Sequence, residues 1–290
     1  MELTPDLRKK ILVYQRNEIT EHLIYQALAK TTKSPENRRL LEAISQDELR
    51  HYQGWRKYTG QDVSPDRFAI WKYPWIGRIL GLTFGLKLME RGEENAQLSY
   101  SELIPFIPEI PTWIQDELEH EKALIGMLDE ERLQYAGSVV LGLNDALVEL
   151  TGALAGLTLA LQNTQLIALS GLITGIAAAM SMALSEYLST RSEKTSKRPV
   201  RAAIYTGIAY IVTVALLIMP YLLFDNYYLD LILALSTAVL IIAAFNYYIS
   251  VARDEPFSKR FVEMAGLSLG VAGFSFVIGY FIRILLGIEL

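Results

Sequence analysis

The chain has 290 residues, of which 51% are hydrophobic, and its formal net charge is −5. This acidic charge balance gives no sign of a basic surface that would bind nucleic acid. The lack of cysteine excludes disulfides, Cys-ligated zinc and iron–sulfur clusters. All three histidines, 18 of the 27 Lys and Arg and 22 of the 32 Asp and Glu lie in residues 1–136. The sequence therefore predicts a water-soluble domain at 1–136 and a lipid-soluble domain at 137–290.

The first domain is predicted to contain four helices. The second of them ends at Gly60, and the third is stopped by Pro105 and Pro108, because proline has no amide hydrogen to offer a helix interior. A polar and aromatic connection through Pro65 and Pro74 is predicted between the second and third helices. The predicted helices span about 5–31, 35–58, 75–104 and 111–135.

Two of these helices carry a glutamate followed three residues later by a histidine, namely Glu48 with His51 and Glu117 with His120. Residues spaced i, i+3 lie on one face of a helix. Bundles that hold two metal ions use this pair on two helices and a single glutamate from each of the other two. The candidate ligands are Glu18, Glu48, His51, Glu90, Glu117 and His120, with Glu93 one turn beyond Glu90 as a further candidate.

The residue types of this set fit a pair of metal ions. Two cations about 3.5–4 Å apart need bridging anions to offset their repulsion, and carboxylates supply them. Mixed oxygen and nitrogen ligands suit iron or manganese. We therefore predict two iron ions in the first domain, with manganese as the open alternative.

The second domain contains five apolar stretches with short polar links. Each is about as long as the 20 residues that a helix needs to cross the hydrocarbon core of a bilayer. The stretches run over about 137–161, 166–190, 201–223, 229–252 and 264–287. The sequence thus predicts an all-α protein in which a cytosolic four-helix bundle precedes a five-helix transmembrane domain.

The links between the spans indicate the orientation of the chain. The links after the second and fourth spans contain Lys and Arg, whereas those after the first and third contain neither. Because positively charged links stay in the cytosol, we expect a cytosolic N-terminal domain and an external C-terminus, in the cell membrane.

The motifs of both domains resemble known families. NEITEH, DELRH, MERGEEN and DELEHE are similar to the erythrin or rubrerythrin branch of the ferritin-like superfamily. GLNDALVELTGALAGL and SMALSEYLSTRSE, in the first two spans, resemble the vacuolar iron transporter family. Together they resemble the membrane-bound ferritins, in which the two domains are fused. The resemblance implies an iron-transporting homodimer.

Four residues of the first two spans are candidates for a transport pathway. Three of them are acids, and ionisable side chains are costly inside a membrane and tend to mark ion paths. Asp145 and Glu149 are spaced i, i+4, and so are Met182 and Glu186. The resemblance implies that Asp145 and Met182 form the translocation site, and a carboxylate with a thioether suits Fe²⁺ better than Ca²⁺ or Mg²⁺. Glu149 and Glu186 are candidate proton carriers for an antiport.

The leading hypothesis is an exporter that moves Fe²⁺ out of the cytosol, with a ferritin-like domain that binds or oxidises iron. One alternative is an enzyme, a membrane-anchored ferroxidase or peroxide-scavenging di-iron protein. The other is a manganese exporter. No catalytic residue is assigned. The expected partners are the metal ion, membrane lipid and a second copy of the chain.

Overall fold

The computed structural model describes residues 4–89, 91, 103–126, 135–193, 197–253 and 255–286. Every regular element within these residues is helical, which confirms the predicted all-α class. The chain divides into two compact units, Met1–Glu130 and Glu131–Leu290, called unit 1 and unit 2 below.

The helices of unit 1 begin and end where side chains satisfy the free backbone groups. Thr4 Oγ1 accepts a hydrogen bond from the amide of Leu7, and Ser34 Oγ accepts one from Asn37, each just before a proline that suits a first helical turn. Gly60 ends the second helix in the left-handed conformation, with φ 69°. The named helices are α1 (Pro5–Thr31), α2 (Pro35–Thr59), α3 (Arg67–Leu80) and α4 (Ile110–Gly126).

The predicted connection between the second and third helices is correct through Pro65 but wrong beyond Asp66, because the chain is helical from Arg67. Asp66 Oδ1 accepts hydrogen bonds from the amides of Phe68 and Ala69, which starts α3 seven residues before Pro74. Pro74 removes one backbone donor but leaves the helix continuous.

The single helix predicted at 75–104 is also wrong, because α3 ends at Leu80 and is capped by Gly81. This glycine has φ 108°, a conformation that side chains disfavour. Residues 82–89 then form a further helical segment, which approaches α3 closely where a Cβ on Gly85 would lie 3.0 Å from Gly77 Cα.

Unit 1 contains two apolar clusters with a polar layer between them along each helix. Along each of α1, α2 and α4, residues of one cluster come first, acids or histidines follow, and residues of the other cluster come last. The first cluster includes Ile11, Tyr14, Trp55 and Trp113, and the second includes Ile24, Leu28, Leu41, Ile44 and Leu124. The side chains of the intervening layer are therefore removed from water on both sides.

Unit 2 contains five described helices that are long and apolar enough to cross a membrane, which confirms the predicted spans. The last begins at Phe257 rather than near 264, because hydropathy detects only the apolar part of a helix and misses its polar first turns. The helices are α5 (Ala136–Leu161), α6 (Thr164–Ser192), α7 (Pro199–Leu223), α8 (Tyr227–Arg253) and α9 (Phe257–Leu286).

Small residues let the helices of unit 2 approach closely. A Cβ on Gly142 of α5 would collide with the carbonyl oxygen of Thr206 on α7, and one on Gly279 of α9 would collide with that of Gly156 on α5. Hydroxyl groups add polar links, since Ser268 Oγ donates to the carbonyl of Leu147 at 2.8 Å. The first span is thereby packed between α7 and α9.

Candidate metal centre

The polar layer of unit 1 brings together side chains from α1, α2 and α4. Glu18, Glu48 and His51 are almost fully buried, and Glu117 is partly exposed. One possible ligand atom from each of these four residues lies within 4.8 Å of the others. The local fold places them so because each sits between the two apolar clusters of its own helix.

His51 is at the centre of the layer. Its Nδ1 atom lies 3.5 Å from a carboxylate oxygen of each of Glu18, Glu48 and Glu117. These three carboxylates come from three different helices. A single imidazole nitrogen therefore faces the same space as three acidic side chains.

His120 faces the same space from α4. Its Nδ1 atom is 3.3 Å from Oε1 of Glu48 and 3.9 Å from Oε2 of Glu117. The other oxygen of each of these two carboxylates faces His51. Glu48 and Glu117 thus each direct one oxygen toward one imidazole and one toward the other, which is the arrangement expected of a bridging carboxylate.

The outer nitrogens of the two imidazoles are held by aspartates of the opposite helix. His51 Nε2 lies 3.0 Å from Oδ2 of Asp116, and His120 Nε2 lies 3.0 Å from Oδ2 of Asp47. A carboxylate only accepts hydrogen bonds, so each Nε2 carries the hydrogen and donates it. This orientation leaves each Nδ1 directed at the carboxylates, as in metal-bound histidines with an outer carboxylate partner.

The two aspartates were not among the predicted site residues. The signal was present in the sequence, because Asp-Glu-Leu-x-His occurs twice, at 47–51 and at 116–120. Arg50 reinforces the pair, with its guanidinium 2.7 Å from Asp47 and 3.9 Å from Asp116.

Several buried atoms of the layer have no hydrogen-bond partner among the described residues. They are Oε2 of Glu18, Oε2 of Glu48, and Nδ1 of both His51 and His120. The other oxygen of Glu18 accepts a hydrogen bond from Trp55 Nε1 at 2.9 Å. Buried polar atoms normally have partners, and unpaired oxygen and imidazole nitrogen atoms around one space are the donors that a transition-metal cation accepts. The residues present therefore fit a metal ion.

The metal-free layer retains protons. Burial raises the pKa of Glu18 to about 7, and the neighbouring charge of Glu48 adds to the effect. Burial opposes a charge on His120, but the nearby carboxylates of Glu48, Asp47 and Glu117 together outweigh this and raise the pKa of His120 to about 9. Burial likewise opposes a charge on His51, and the nearby carboxylates of Glu117, Glu18 and Glu48 raise its pKa. A metal ion has to displace these protons.

Two predicted ligands, Glu90 and Glu93, lie outside the described residues, so their role stays a prediction. The remaining histidine, His22, belongs to the packing of α1 on α2. Its Nδ1 atom is 2.7 Å from the carbonyl oxygen of Ser45 and 3.0 Å from Ser45 Oγ.

In unit 2, Asp145 lies in an open groove along α5. Asp145 is half-buried, and the Oδ1 atom of its neighbour Asn144 is buried with no hydrogen-bond partner among the described residues. The groove is lined by Gly137, Val140, Leu141, Asn144, Asp145 and Val148.

The two predicted proton carriers each accept hydrogen bonds from hydroxyl groups. Tyr210, which is fully buried on α7, donates to Oε2 of Glu149 at 2.9 Å. Ser138 on α5 donates to Oε1 of Glu186 on α6 at 2.6 Å. Met182 packs against the apolar core of unit 2, and its pairing with Asp145 stays a prediction.

Five apolar helices define an integral membrane protein, and the polar layer of unit 1 is its candidate metal centre. Residues 136–197, which contain α5 and α6, match the model of the VIT family. This confirms the resemblance for that segment and indicates membrane transport of a metal ion, iron or manganese. Comparison with curated proteins and with solved structures gave no significant match.

Proposed function

We propose that the protein exports Fe²⁺ from the cytosol, with unit 2 as the transporter and unit 1 as a ferritin-like domain that binds iron. The observation that carries the proposal is the VIT family match, because residues 136–197 contain all four candidate pathway residues. These are Asp145, Glu149, Met182 and Glu186.

The acids of α5 support a cation path. Asp145 and Glu149 are one helical turn apart on the same face, in a segment long and apolar enough to cross a membrane. Moving carboxylates from water into the membrane costs free energy, and helix packing alone does not offset this cost. A divalent cation or a proton offsets that cost, which is why an exchange of Fe²⁺ for protons is part of the proposal.

The role of unit 1 rests on its polar layer. Among the described residues, Glu18, Glu48, His51, Glu117 and His120 would hold iron, and Glu48 and Glu117 each face both imidazoles. Iron bound there would supply redox chemistry. The chain itself keeps water away with its two apolar clusters and fixes both imidazoles through Asp47 and Asp116.

The orientation and assembly are part of the same proposal. Basic residues in the links after the second and fourth spans support a cytosolic N-terminus and an outward direction of transport. The open groove around Asp145 supports a homodimer, because a second copy would cover a half-buried carboxylate that a single chain leaves open.

Two other functions follow from particular observations. The unpartnered atoms of the polar layer would equally serve a membrane-anchored ferroxidase or peroxide-scavenging enzyme. The donor set of oxygen and imidazole nitrogen also suits manganese, so a manganese exporter is the third candidate.

Metal flux into proteoliposomes that contain the full-length protein tests the proposal. We expect Fe²⁺ flux above Mn²⁺ flux, increased by a proton gradient and reduced by Asp145→Asn or Met182→Ala. Met180→Ala is the matched control, because Met180 is 62% exposed on the same helix and should be dispensable. Flux of Fe²⁺ that survives both pathway substitutions would refute the proposed path, and no flux of any metal would favour the enzyme.

A further inference from the structure

An exposed aromatic stripe runs along α3. Phe68, Trp71 and Trp75 are 66%, 59% and 50% exposed, although side chains of this size are usually removed from water. Their rings form a continuous row, with centroids 6.0 Å apart for the first pair and 6.4 Å for the second. Ile79 extends the row by one turn.

The opposite face of α3 fixes the helix to the core of unit 1. At about 100° per residue, the three aromatic residues fall within an arc of about 60°, and Tyr73 and Gly77 lie on the other side. Tyr73 packs against the second apolar cluster, and a Cβ on Gly77 would lie 3.1 Å from Leu28 Cδ2. The stripe therefore points away from the partly buried face by which α3 packs on unit 1.

The charge of α3 is entirely positive. Arg67, Lys72 and Arg78 are its only ionisable residues of either sign apart from Tyr73, and no acid occurs between Arg67 and Leu80. In helical projection the two arginines lie on one side of the aromatic stripe and Lys72 on the other. Tryptophan rings beside basic residues are typical of helices that lie in a membrane interface.

Two occupants are conceivable for this surface, a bilayer or a second copy of the chain. Pairing two copies of α3 would bring six positive charges together with no acid from either helix to offset them. An anionic lipid surface matches the same charges. The same chain carries five helices long and apolar enough to cross a membrane, so unit 1 is covalently tethered to a bilayer.

We propose that α3 lies in the interface of an anionic bilayer, with Phe68, Trp71 and Trp75 among the lipid headgroups and Arg67 and Arg78 against their phosphates. This gives unit 1 a lipid-binding surface of its own, in addition to the spans of unit 2. The inference does not depend on which metal the protein binds or on whether it transports one.

Tryptophan fluorescence offers a direct test, because all four tryptophans, at positions 55, 71, 75 and 113, precede the first span. The full-length protein is reconstituted into vesicles of phosphatidylcholine and phosphatidylglycerol, with either ordinary or brominated acyl chains. Bromine quenches only nearby tryptophan. Since Trp71 and Trp75 are two of the four emitters, we expect brominated vesicles to remove up to about half of the emission.

The matched control is the double variant Trp71→Phe with Trp75→Phe, which retains the buried Trp55 and Trp113 and should lose the quenching. Near-ultraviolet circular dichroism checks that this variant is folded. Replacing phosphatidylglycerol by phosphatidylcholine should weaken the quenching of the unmodified protein. Equal quenching in both lipid mixtures would overturn the proposed recognition of anionic lipid.

Two further results would overturn the inference. One is emission of the unmodified protein that brominated lipid leaves unchanged, or quenching that persists in the double variant. The other is disulfide cross-linking of two Phe68→Cys chains without any quenching, which would mean that a second copy covers the stripe. The variant carries a single thiol, because the natural chain has no cysteine.

Discussion

His51 Nε2 donates a hydrogen bond to Oδ2 of Asp116 at 3.0 Å, although the two residues are 65 positions apart and on different helices. The reciprocal bond joins His120 to Asp47, 73 positions away, at the same distance. Each Asp-Glu-Leu-x-His motif therefore supplies the outer partner for the histidine of the other. The two halves of the candidate metal centre are orientated by each other.

The first prediction concerns these two reciprocal hydrogen bonds between histidine and aspartate. Asp116→Ala should lower the affinity of unit 1 for Fe²⁺ roughly 10–100-fold, the usual effect of losing the outer partner of a ligating histidine. Isothermal titration of the detergent-solubilised protein measures the affinity. Glu119→Ala removes an exposed acid from the same helix and should change little. Equal losses in both variants would indicate a general effect of charge.

A second prediction separates bridging from terminal carboxylates. Glu48 faces both imidazoles, whereas Glu18 is close to His51. Glu48→Gln should therefore remove most bound iron, and Glu18→Gln should retain part of it. Elemental analysis of the purified protein gives the metal content per chain. Identical metal content in the two variants would contradict the assignment of Glu48 as a bridge.

The pH dependence of the metal-free protein is the third prediction. The pKa of His120 is raised from 6.5 to about 9, so its proton stabilises the folded state fully below pH 6.5 and this contribution is lost as the pH rises through 9. The pKa of Glu18 is raised from 4.5 to about 7, so the folded state also loses stability as the pH rises from 4.5 to 7, and part of this loss falls between pH 6 and pH 7.

Both effects have the same sign, so metal-free unit 1 should unfold at a lower temperature at pH 9 than at pH 6. Tryptophan fluorescence reports this transition, because all four tryptophans belong to residues 1–130. Metal should bind more tightly at pH 9 and release protons, measurable by titration in buffers of different ionisation enthalpy. Binding that weakens as the pH rises would contradict the proposed ligands.

Tyr210 provides a fourth prediction. Its buried hydroxyl donates to Glu149, so Tyr210→Phe removes this hydrogen bond while keeping the ring. We expect slower metal flux and an altered dependence on the proton gradient, because Glu149 loses the group that orientates it. Tyr228→Phe, at an exposed position, is the control. Unchanged flux and pH profile would exclude a role for this contact in transport.

The fifth prediction concerns helix packing in unit 2. Gly279→Ala places a methyl group against the backbone of Gly156, so it should destabilise the protein by about 1–3 kcal/mol, as overpacking usually does. Gly266→Ala, in the same helix, meets nothing within 4 Å and should be neutral or slightly stabilising. Thermal unfolding in one detergent compares the two. Equal stability of both variants would argue against close packing of α5 on α9.

The sequence by itself determined the helical class, the five spans and the residue types of the candidate metal centre. These features are local, because apolar runs of about 20 residues and i, i+3 pairs are visible within one or two helical turns or one span. The predicted boundaries failed where local signals conflicted. Pro74 indicated a connection, yet Asp66 caps a helix that continues past Pro74 to Leu80.

Only the tertiary structure decided which side chains meet. The pairing of His51 with Asp116, the position of Glu18 beside Trp55 and the hydroxyl of Tyr210 on Glu149 join residues 37 to 65 positions apart. No periodicity encodes such contacts, because they depend on how whole helices pack against one another. The exposure of the aromatic residues of α3 was also not visible in the sequence, which predicted a connection there. It depends on the packing of the opposite face of α3 against unit 1.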